Sequence, residues 1–589
     1  MTLLPAEMAR VRMLEQEKLK NQKFLTVMTD GWDDAQHRSV YGTVVVERGK
    51  YPTILGLENL TGKRGSAANI GAAVRKSMKE MAVDPKQIIA MVTDDPTVMG
   101  AVRRDMEKEY PWIITIACFE HKLNGAMGRV SSFSEVKPVI SKNARIVSFF
   151  TSSHYWGGEL NKVAASQGVN RKLKKHTETR WYSLILLCSS VIEHRSALEI
   201  LCRREDAIRK VDNLSPVATD VLQTVRDSKH WDLTFQLVRF CKPIVDAIGR
   251  IESRDASLAD CMLELLRCAR EISHLSPAIE LGDSLPFSFH AKAAFNREFT
   301  KLNTDIHFLA LYLHPLCRRL AVSNAPRSRK FKEVCVIAGT LAKKLGWTQN
   351  ITTKLLSDLQ EYHACRPPFT GGTADGAAWW RELPGVSATE HPLKGMALII
   401  FAIVPHTAEV ERVFSSLGGF HSPRRSRLSV ENLEMLGKLR SHYVGLLHEM
   451  GRTKDRRHHT HSRIPKEPGV DANLVSRLIQ ENVTDALDAD QAARELREVA
   501  EIRAEMDEEL TVADIDRAFA ELELEKTTEN ANTREIDALE VYSMDDLRKV
   551  DEGMAPKSVE DDLSALTAEE GGSTATWNLE TLLTKAGIA

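Results

Sequence analysis

The stretch FLTVMTDGW, residues 24–32, puts an acid, Asp30, at the end of a short apolar run and follows it at once with Gly31 and Trp32. An isolated Asp after a strand is an ordinary turn former, so its meaning depends on what the rest of the chain brings to it. Two more β-rich runs follow, VYGTVVVE (40–47) and YPTILGLENL (51–60), on short polar or Gly-containing links that suit antiparallel neighbours. A helix is predicted next, with Ser66 as N-cap and Ile70, Val74, Met78 and Met81 on one stripe. IIAMVTD (88–94) is then a strand, Asp95-Pro96 opens a second helix carrying Val98, Val102 and Met106, and WIITIAC (112–118) is a strand before a helix that holds His121. The order is β-β-β-α-β-α-β-α. After a three-stranded antiparallel start, right-handed crossovers place the fourth strand beside the first. Asp30 and Asp94 then end neighbouring strands, with both carboxylates in the crevice at the strands' carboxyl ends.

Two acids converging there suggest a metal site. Two-metal phosphodiester chemistry needs at least two carboxylates, usually with a third completing the cage. The spacing fits equally well a bland arrangement in which Asp30 sits in a turn and Asp95 caps the helix that Pro96 starts. A third acid has to come from much later. In PHTAEVERVFSSLG (405–418), Val410, Val413, Phe414 and Leu417 form an i, i+3, i+4, i+7 stripe. Glu409 and Glu411 flank that stripe on opposite sides, about 100° away each. One reaches a site at the edge of the packed face and the other meets solvent, and spacing does not choose between them.

Composition bounds the class. The 589 residues suffice for two to four domains, and 43% hydrophobic content is that of an ordinary globular protein. No run of eighteen apolar residues occurs, and the charged N-terminus is neither a membrane span nor a secretory signal. Nine scattered cysteines without a CxxC pair point to reduced thiols in the cytosol or nucleus. The net charge of −2 conceals a strong asymmetry. Residues 471–589 hold 31 acidic and 11 basic residues, a balance of −20, whereas the first 470 hold 50 acidic and 68 basic, a balance of +18. A basic body suits a polyanionic partner, although a solvated surface has the same composition.

The expected organisation is a helical lead (1–23), an α/β unit (24–134), a large all-α insertion (135–385), and a second apolar helical block (386–447) interrupted at VPHT and at GGFHSPRRSR. A basic, His-rich linker (448–470) and an acidic, partly helical and partly disordered tail (471–589) complete it.

Taken in order, TDGW (29–32), VTDDPTVMGAVRRDMEKEYPWIITIACFEHKLN (92–124), TETRWYSL (177–184), LALYLHP (309–315) and LPGVSATEHPLKGMALIIFAIVPHTAEVERVFSSLGGFHSPRRSRLSVENLEML (383–436) resemble the ordered blocks of hAT-superfamily transposases. The resemblance spans roughly residues 24–445. It implies an α/β plus α protein, with a ribonuclease-H-like mixed sheet interrupted by a helical insertion and closed by a C-terminal hAT dimerisation region. It also implies a catalytic triad of Asp30, Asp94 and Glu411 holding Mg2+ or Mn2+, Glu411 because the family's Glu directly precedes RVFS. Cys118 and His121 match the family's CxxH block near the active site; a buried thiol and a core histidine are the bland reading. Arg180 and Trp181 match an Arg-Trp pair in which Trp stacks on a displaced base and Arg contacts phosphate, although such a pair before a helix is also ordinary packing.

The implied partners are DNA and a second copy of the chain, with no membrane, and the implied location is the nucleus. Arg424, Arg425 and Arg427 are candidate phosphate contacts, and the basic tract at 452–466 is a candidate import signal. The sequence departs from the family in three places. No BED-type zinc finger precedes residue 24, Asp95 stands where Asn is usual, and PHTAEVE replaces a Ser/Ala-rich approach to the Glu. A non-catalytic, dimerising nuclear protein that binds DNA or chromatin is the alternative.

Overall fold

The computed structural model describes residues 3–175, 181–211, 214–275, 285–322, 329–420, 428–450 and 577–588. After helix α1 (Leu3–Lys20) come strands β1 (Leu25–Asp33), β2 (Ser39–Val46) and β3 (Thr53–Asn59), helix α2 (Ala67–Glu80), strand β4 (Ile88–Thr93), helix α3 (Thr97–Glu109), strand β5 (Ile114–Ala117) and helix α4 (Phe119–Ser131). The fold is mixed α/β: one five-stranded sheet in the order β3-β2-β1-β4-β5, and many helices. The β1–β2 and β2–β3 pairs are antiparallel, and β1–β4 and β4–β5 are parallel. The predicted element order and the placing of the fourth strand beside the first are both found.

Strand alternation divides the core. Leu25, Val27, Val45 and Met91 face a smaller cluster with the α2 and α3 stripes (Ile70, Val74, Met78; Met99, Val102, Met106). Met28, Val44, Val46 and Val92 face the larger cluster, which runs on without a break into the helical region. Ser66 caps α2 as predicted, accepting a hydrogen bond from the Asn69 amide. Fully buried Ile70 and Val74 each contribute about 1.5–3 kcal/mol.

Two local expectations are corrected. Strand β1 does not end at Asp30: Gly31, Trp32 and Asp33 stay in the sheet opposite Tyr41, Val40 and Ser39, because the antiparallel partner outlasts the parallel one. Asp95 does not cap α3, whose N-cap position is Pro96 without a side-chain bond. Its carboxylate pairs instead with Arg103 (3.4 Å) and Lys122.

From Val136 to Glu382 the described residues form helices, among them Val136–Ser152, Trp181–Glu193, Ser228–Ile251, Leu258–His274, Phe331–Lys344 and Gln349–His363. The chain then returns to the sheet through helix Pro392–Ala402, a buried extended stretch at 403–407, and helices Ala408–Phe420 and Val430–Glu449. Two hydrogen bonds stitch the extended stretch down: Val404 N donates to Thr26 Oγ1 (3.1 Å), and Phe119 N donates to Pro405 O (3.1 Å). Helix Val430–Glu449 lies against β3, with Leu57 N donating to Glu434 Oε2 (3.3 Å) and Ser441 Oγ to Pro52 O (2.8 Å). It also runs beside α1, joined by Arg10–Tyr443 (2.8 Å) and Lys18–Glu449 (3.1 Å).

The candidate import tract and the acidic stretch up to residue 576 lie outside the described residues. The end of the acidic tail is described: a short helix, Leu579–Lys585, packs on the helical region. Among the described residues no helix is long and apolar enough to cross a membrane.

Candidate active site

Parallel pairing of β1 with β4 ends at Thr29↔Thr93. Asp30 and Asp94 are therefore the next residues on adjacent strands, whose backbones are about 5 Å apart. Asp30 shares a sheet face with Met28, the face covered by helix Ala408–Phe420. Glu411 lies in the first turn of that helix. Three elements distant in sequence thus bring Asp30, Asp94 and Glu411 together.

Their electrostatics follow from burial and mutual repulsion. Burial first, then the charges of Asp94 and Glu411, push the Asp30 carboxyl from its ordinary 3.8 up to about 7, against smaller lowering effects from His121 and the Gly31 amide. Burial raises Asp94 to about 6, eased by the Arg103 guanidinium and reinforced by Glu411 and Asp95. Arg103 spends its Nη1 on the Asp94 main-chain oxygen (2.6 Å) and on Thr93 Oγ1 (2.5 Å). Asp94 Oδ1 is buried without a hydrogen-bond partner among the described residues. A buried carboxylate oxygen left in that state costs about 1–3 kcal/mol or more.

The structure separates Glu409 from Glu411. Glu411 turns to the two aspartates, while Glu409, 1% exposed, turns away and pairs with Arg254 (2.8 Å) and Arg412. The expectation that the second glutamate meets solvent is corrected: it is buried, and burial is outweighed by Arg412 and Arg254, which hold its carboxyl below the usual range. Arg254 comes from the turn after helix Ser228–Ile251, so no local pattern announces it.

Glu411 is oriented by a residue the sequence reading passed over. Thr407 Oγ1 lies 3.2 Å from Glu411 Oε1, 3.4 Å from His121 Nδ1 and 3.3 Å from Cys118 Sγ. Its amide also donates to Cys118 Sγ (3.3 Å). Cys118 N in turn donates to Thr93 O (2.7 Å), joining the cluster to the end of β4. Cys118 is fully buried and its thiol is pushed far up by burial, so it acts as an uncharged hydrogen-bonding post. His121 Nδ1 is 3.7 Å from Glu411 Oε1. The one available signal for Thr407 was its position immediately before a helix.

Behind the acids, Trp32 stacks on Phe414 (centroids 5.7 Å apart, 19° between planes). Gly42, the β2 residue opposite Asp30, leaves room for that ring, since a Cβ there would lie 2.8 Å from Phe414 Cε1. The stack fixes helix Ala408–Phe420, and with it Glu411, against β1.

The donor set suits a hard divalent cation: three carboxylates, one with a buried oxygen that has no partner among the described residues, at a point where like charges repel. Among the described residues no group of three or more His, Cys, Asp or Glu side chains stands in a ligating arrangement, so cation binding would draw the carboxylates inward. Trp181 opens helix Trp181–Glu193 and is 8% exposed, its indole lying on Gly128 of α4, where a Cβ would meet Nε1 at 2.5 Å. Stacking on a base would require the ring to leave that packing. Arg180, Arg424, Arg425 and Arg427 lie outside the described residues. No family model matches the chain, and comparison with curated proteins returned no match.

Proposed function

We propose that the chain is a hAT-transposase-like protein, with its sheet as a ribonuclease-H-like core and Asp30, Asp94 and Glu411 as its catalytic acids for DNA cleavage and strand transfer. The observation that carries this reading is the convergence of the three acids from β1, the end of β4 and helix Ala408–Phe420, with Asp30 raised to about 7 by burial and by the other two. Like charges crowded together in a half-buried site are unfavourable unless a cation joins them. The strand order and the long helical stretch between α4 and helix Pro392–Ala402 also support it.

Asp30, Asp94 and Glu411 would hold Mg2+ or Mn2+, which supplies Lewis acidity to activate water or a DNA 3′-hydroxyl and to stabilise the leaving oxygen. Asp30 stands on β1 and Asp94 directly follows β4. Thr407 and His121 orient the third, and the Trp32–Phe414 stack packs its helix against β1. The +18 body attracts the DNA backbone, and Arg180, Arg424, Arg425 and Arg427 are its proposed phosphate contacts in a nuclear setting. Self-association is assigned to the C-terminal region. The stripe Val410, Val413, Phe414 and Leu417 is spent on the chain's own core, but Met13 and Leu14 of α1 and Tyr443, Leu447 and Met450 at its neighbour helix expose apolar surface to a second copy.

A second reading, a non-catalytic dimerising nuclear protein on the same scaffold, is favoured by the buried Trp181 and by the lack of a ligating cluster among the described residues. Calorimetric titration of Mg2+ or Mn2+ into the full chain, beside Asp30→Ala and Glu411→Ala, separates the two. Binding lost in both variants, together with metal-dependent nicking of supercoiled DNA, supports the enzyme. No binding by the parent chain, with or without DNA, refutes it in favour of the second reading.

A further inference from the structure

The last described residues, 577–588, pack as a short capped segment on the helical region. The element is capped at both ends. Asn578 Oδ1 accepts from the Glu580 and Thr581 amides (2.9 and 3.4 Å). At the other end Gly587, at φ +68°, lets its own amide and that of Ile588 turn back to Thr584 O (3.1 Å) and Leu583 O (3.0 Å). A helix of seven residues is too short to persist on its own apolar contacts, so these caps and the surface beneath it must hold it.

That surface lies on helices Phe331–Lys344 and Gln349–His363 and the Trp347 turn between them. Leu579 fills a notch made by the missing side chain of Gly339, where a Cβ would lie 2.3 Å from Leu579 Cδ1. Leu582, Leu583 and Ile588 are 3%, 6% and 8% exposed. Leu579, Leu582 and Leu583 give the i, i+3, i+4 anchors of an amphipathic helix set in a groove. Polar contacts fix the ends: Trp577 Nε1 donates to Trp347 O (3.0 Å), and Gln360 Nε2 donates to Ala586 O (2.8 Å). The Lys343 ammonium sits 5.7 Å above the Trp577 ring.

We propose that this groove is a helix-peptide receptor whose ligand is the chain's own segment 577–588, held as a separable clasp and not as a part of the domain core. The 126 residues between Met450 and Trp577 place no tight covalent limit on the docking, so the same contacts serve a segment supplied in trans. The inference stands apart from the nuclease reading.

The test uses full-length chains and a fluorescent synthetic peptide of residues 575–589, read by anisotropy. The doubly substituted chain Leu582→Asp/Leu583→Asp frees the groove. It is expected to bind the peptide saturably, with at least a tenfold higher apparent affinity than the parent chain, whose own segment competes. Adding Gly339→Leu, a good helix former that fills the notch, is expected to abolish that binding. Equal binding by all three chains, or none by a folded Leu582→Asp/Leu583→Asp chain, overturns the proposal. Loss of cooperative melting in that chain overturns it too, because the segment would then belong to the core. Tenfold stronger binding accompanied by a concentration-dependent dimer of the parent identifies a second copy as the acceptor and still upholds the receptor.

Discussion

Replacing Asp30 by Asn removes one of three mutually repelling charges while keeping the side-chain volume, and it should stabilise the cation-free protein. The folded state lifts this carboxyl from 3.8 to about 7, so between those values it holds a proton that the unfolded chain releases. By linkage, stability is fully present below the unfolded value and is lost as pH rises toward 7. The full displacement corresponds to about 4 kcal/mol. Because Asp94 and Glu411 share the repulsion and relax when Asp30 is neutralised, a gain of about 1–3 kcal/mol is expected at pH 8. At pH 5 the gain should fall to about a third of that, since most of the folded parent is already protonated there. Urea unfolding in EDTA at both pH values measures it. Repeating the pH 8 series with Mg2+ should stabilise the parent and leave Asp30→Asn unmoved, as ligand binding to the folded state alone requires. An Asp30→Asn chain no more stable than the parent at pH 8, or stabilised equally at both pH values, would refute the claim that these acids are crowded together.

Four further outcomes follow from the contacts around named residues. Gly42→Ala pushes a methyl group to 2.8 Å from the Phe414 ring at a position that needs no left-handed backbone; a loss of about 1–3 kcal/mol is expected in urea melts. Gly158→Ala in helix His154–Ser166, with open space around it, should gain up to about 1 kcal/mol in the same assay. His230 is buried, with Nε2 on Asn143 Oδ1 (3.1 Å), and burial, helped by Lys142, lowers it to about 4. Its contribution is present above pH 6.5 and lost as pH falls toward 4, up to about 3 kcal/mol, and His230→Gln should flatten that part of a stability-against-pH profile. Thr407→Val keeps shape but removes the hydroxyl between Glu411, His121 and Cys118. A fall in Mg2+ affinity of about tenfold is expected by calorimetry, with cooperative melting retained.

The order of strands and helices through residue 131 was legible because the strands are short β-rich runs set off by polar links and the helices carry apolar stripes, with Ser66 capping α2. What local pattern missed was decided by partners far along the chain. Asp30 read as the end of its strand, yet β2 holds Gly31 and Trp32 in the sheet and Phe414 holds Trp32 from the far side; tertiary pairing overrides local preference here. Glu409 and Glu411 are symmetric about their stripe, and only Arg254, over 150 residues earlier, breaks the symmetry by claiming Glu409. The clasp at 577–588 was hidden for a similar reason, since its groove exists only once two distant helices have packed.

This dependence gives the helical region a part in the site without putting any of its residues among the acids. Three consecutive residues after helix Ser228–Ile251 grip the returning chain. Glu252 O accepts from Arg412 Nη2 (2.8 Å), Ser253 O contacts His406 Nε2 (3.0 Å), and Arg254 pairs with Glu409. These contacts bracket Thr407 and Glu411 on both sides in sequence. Asp30 lies on β1, and Asp94, directly after β4, is held by Arg103 of α3, so both are placed by the α/β unit itself. Glu411 has no such guarantee: its helix is seated by the 252–254 turn on one side and by the Gly42 and Trp32 surface of the sheet on the other. A change in the helical region therefore acts on the third acid through the 252–254 turn and leaves the first two in place, so two-acid and three-acid states of the site are separable by substitutions that touch none of the acids.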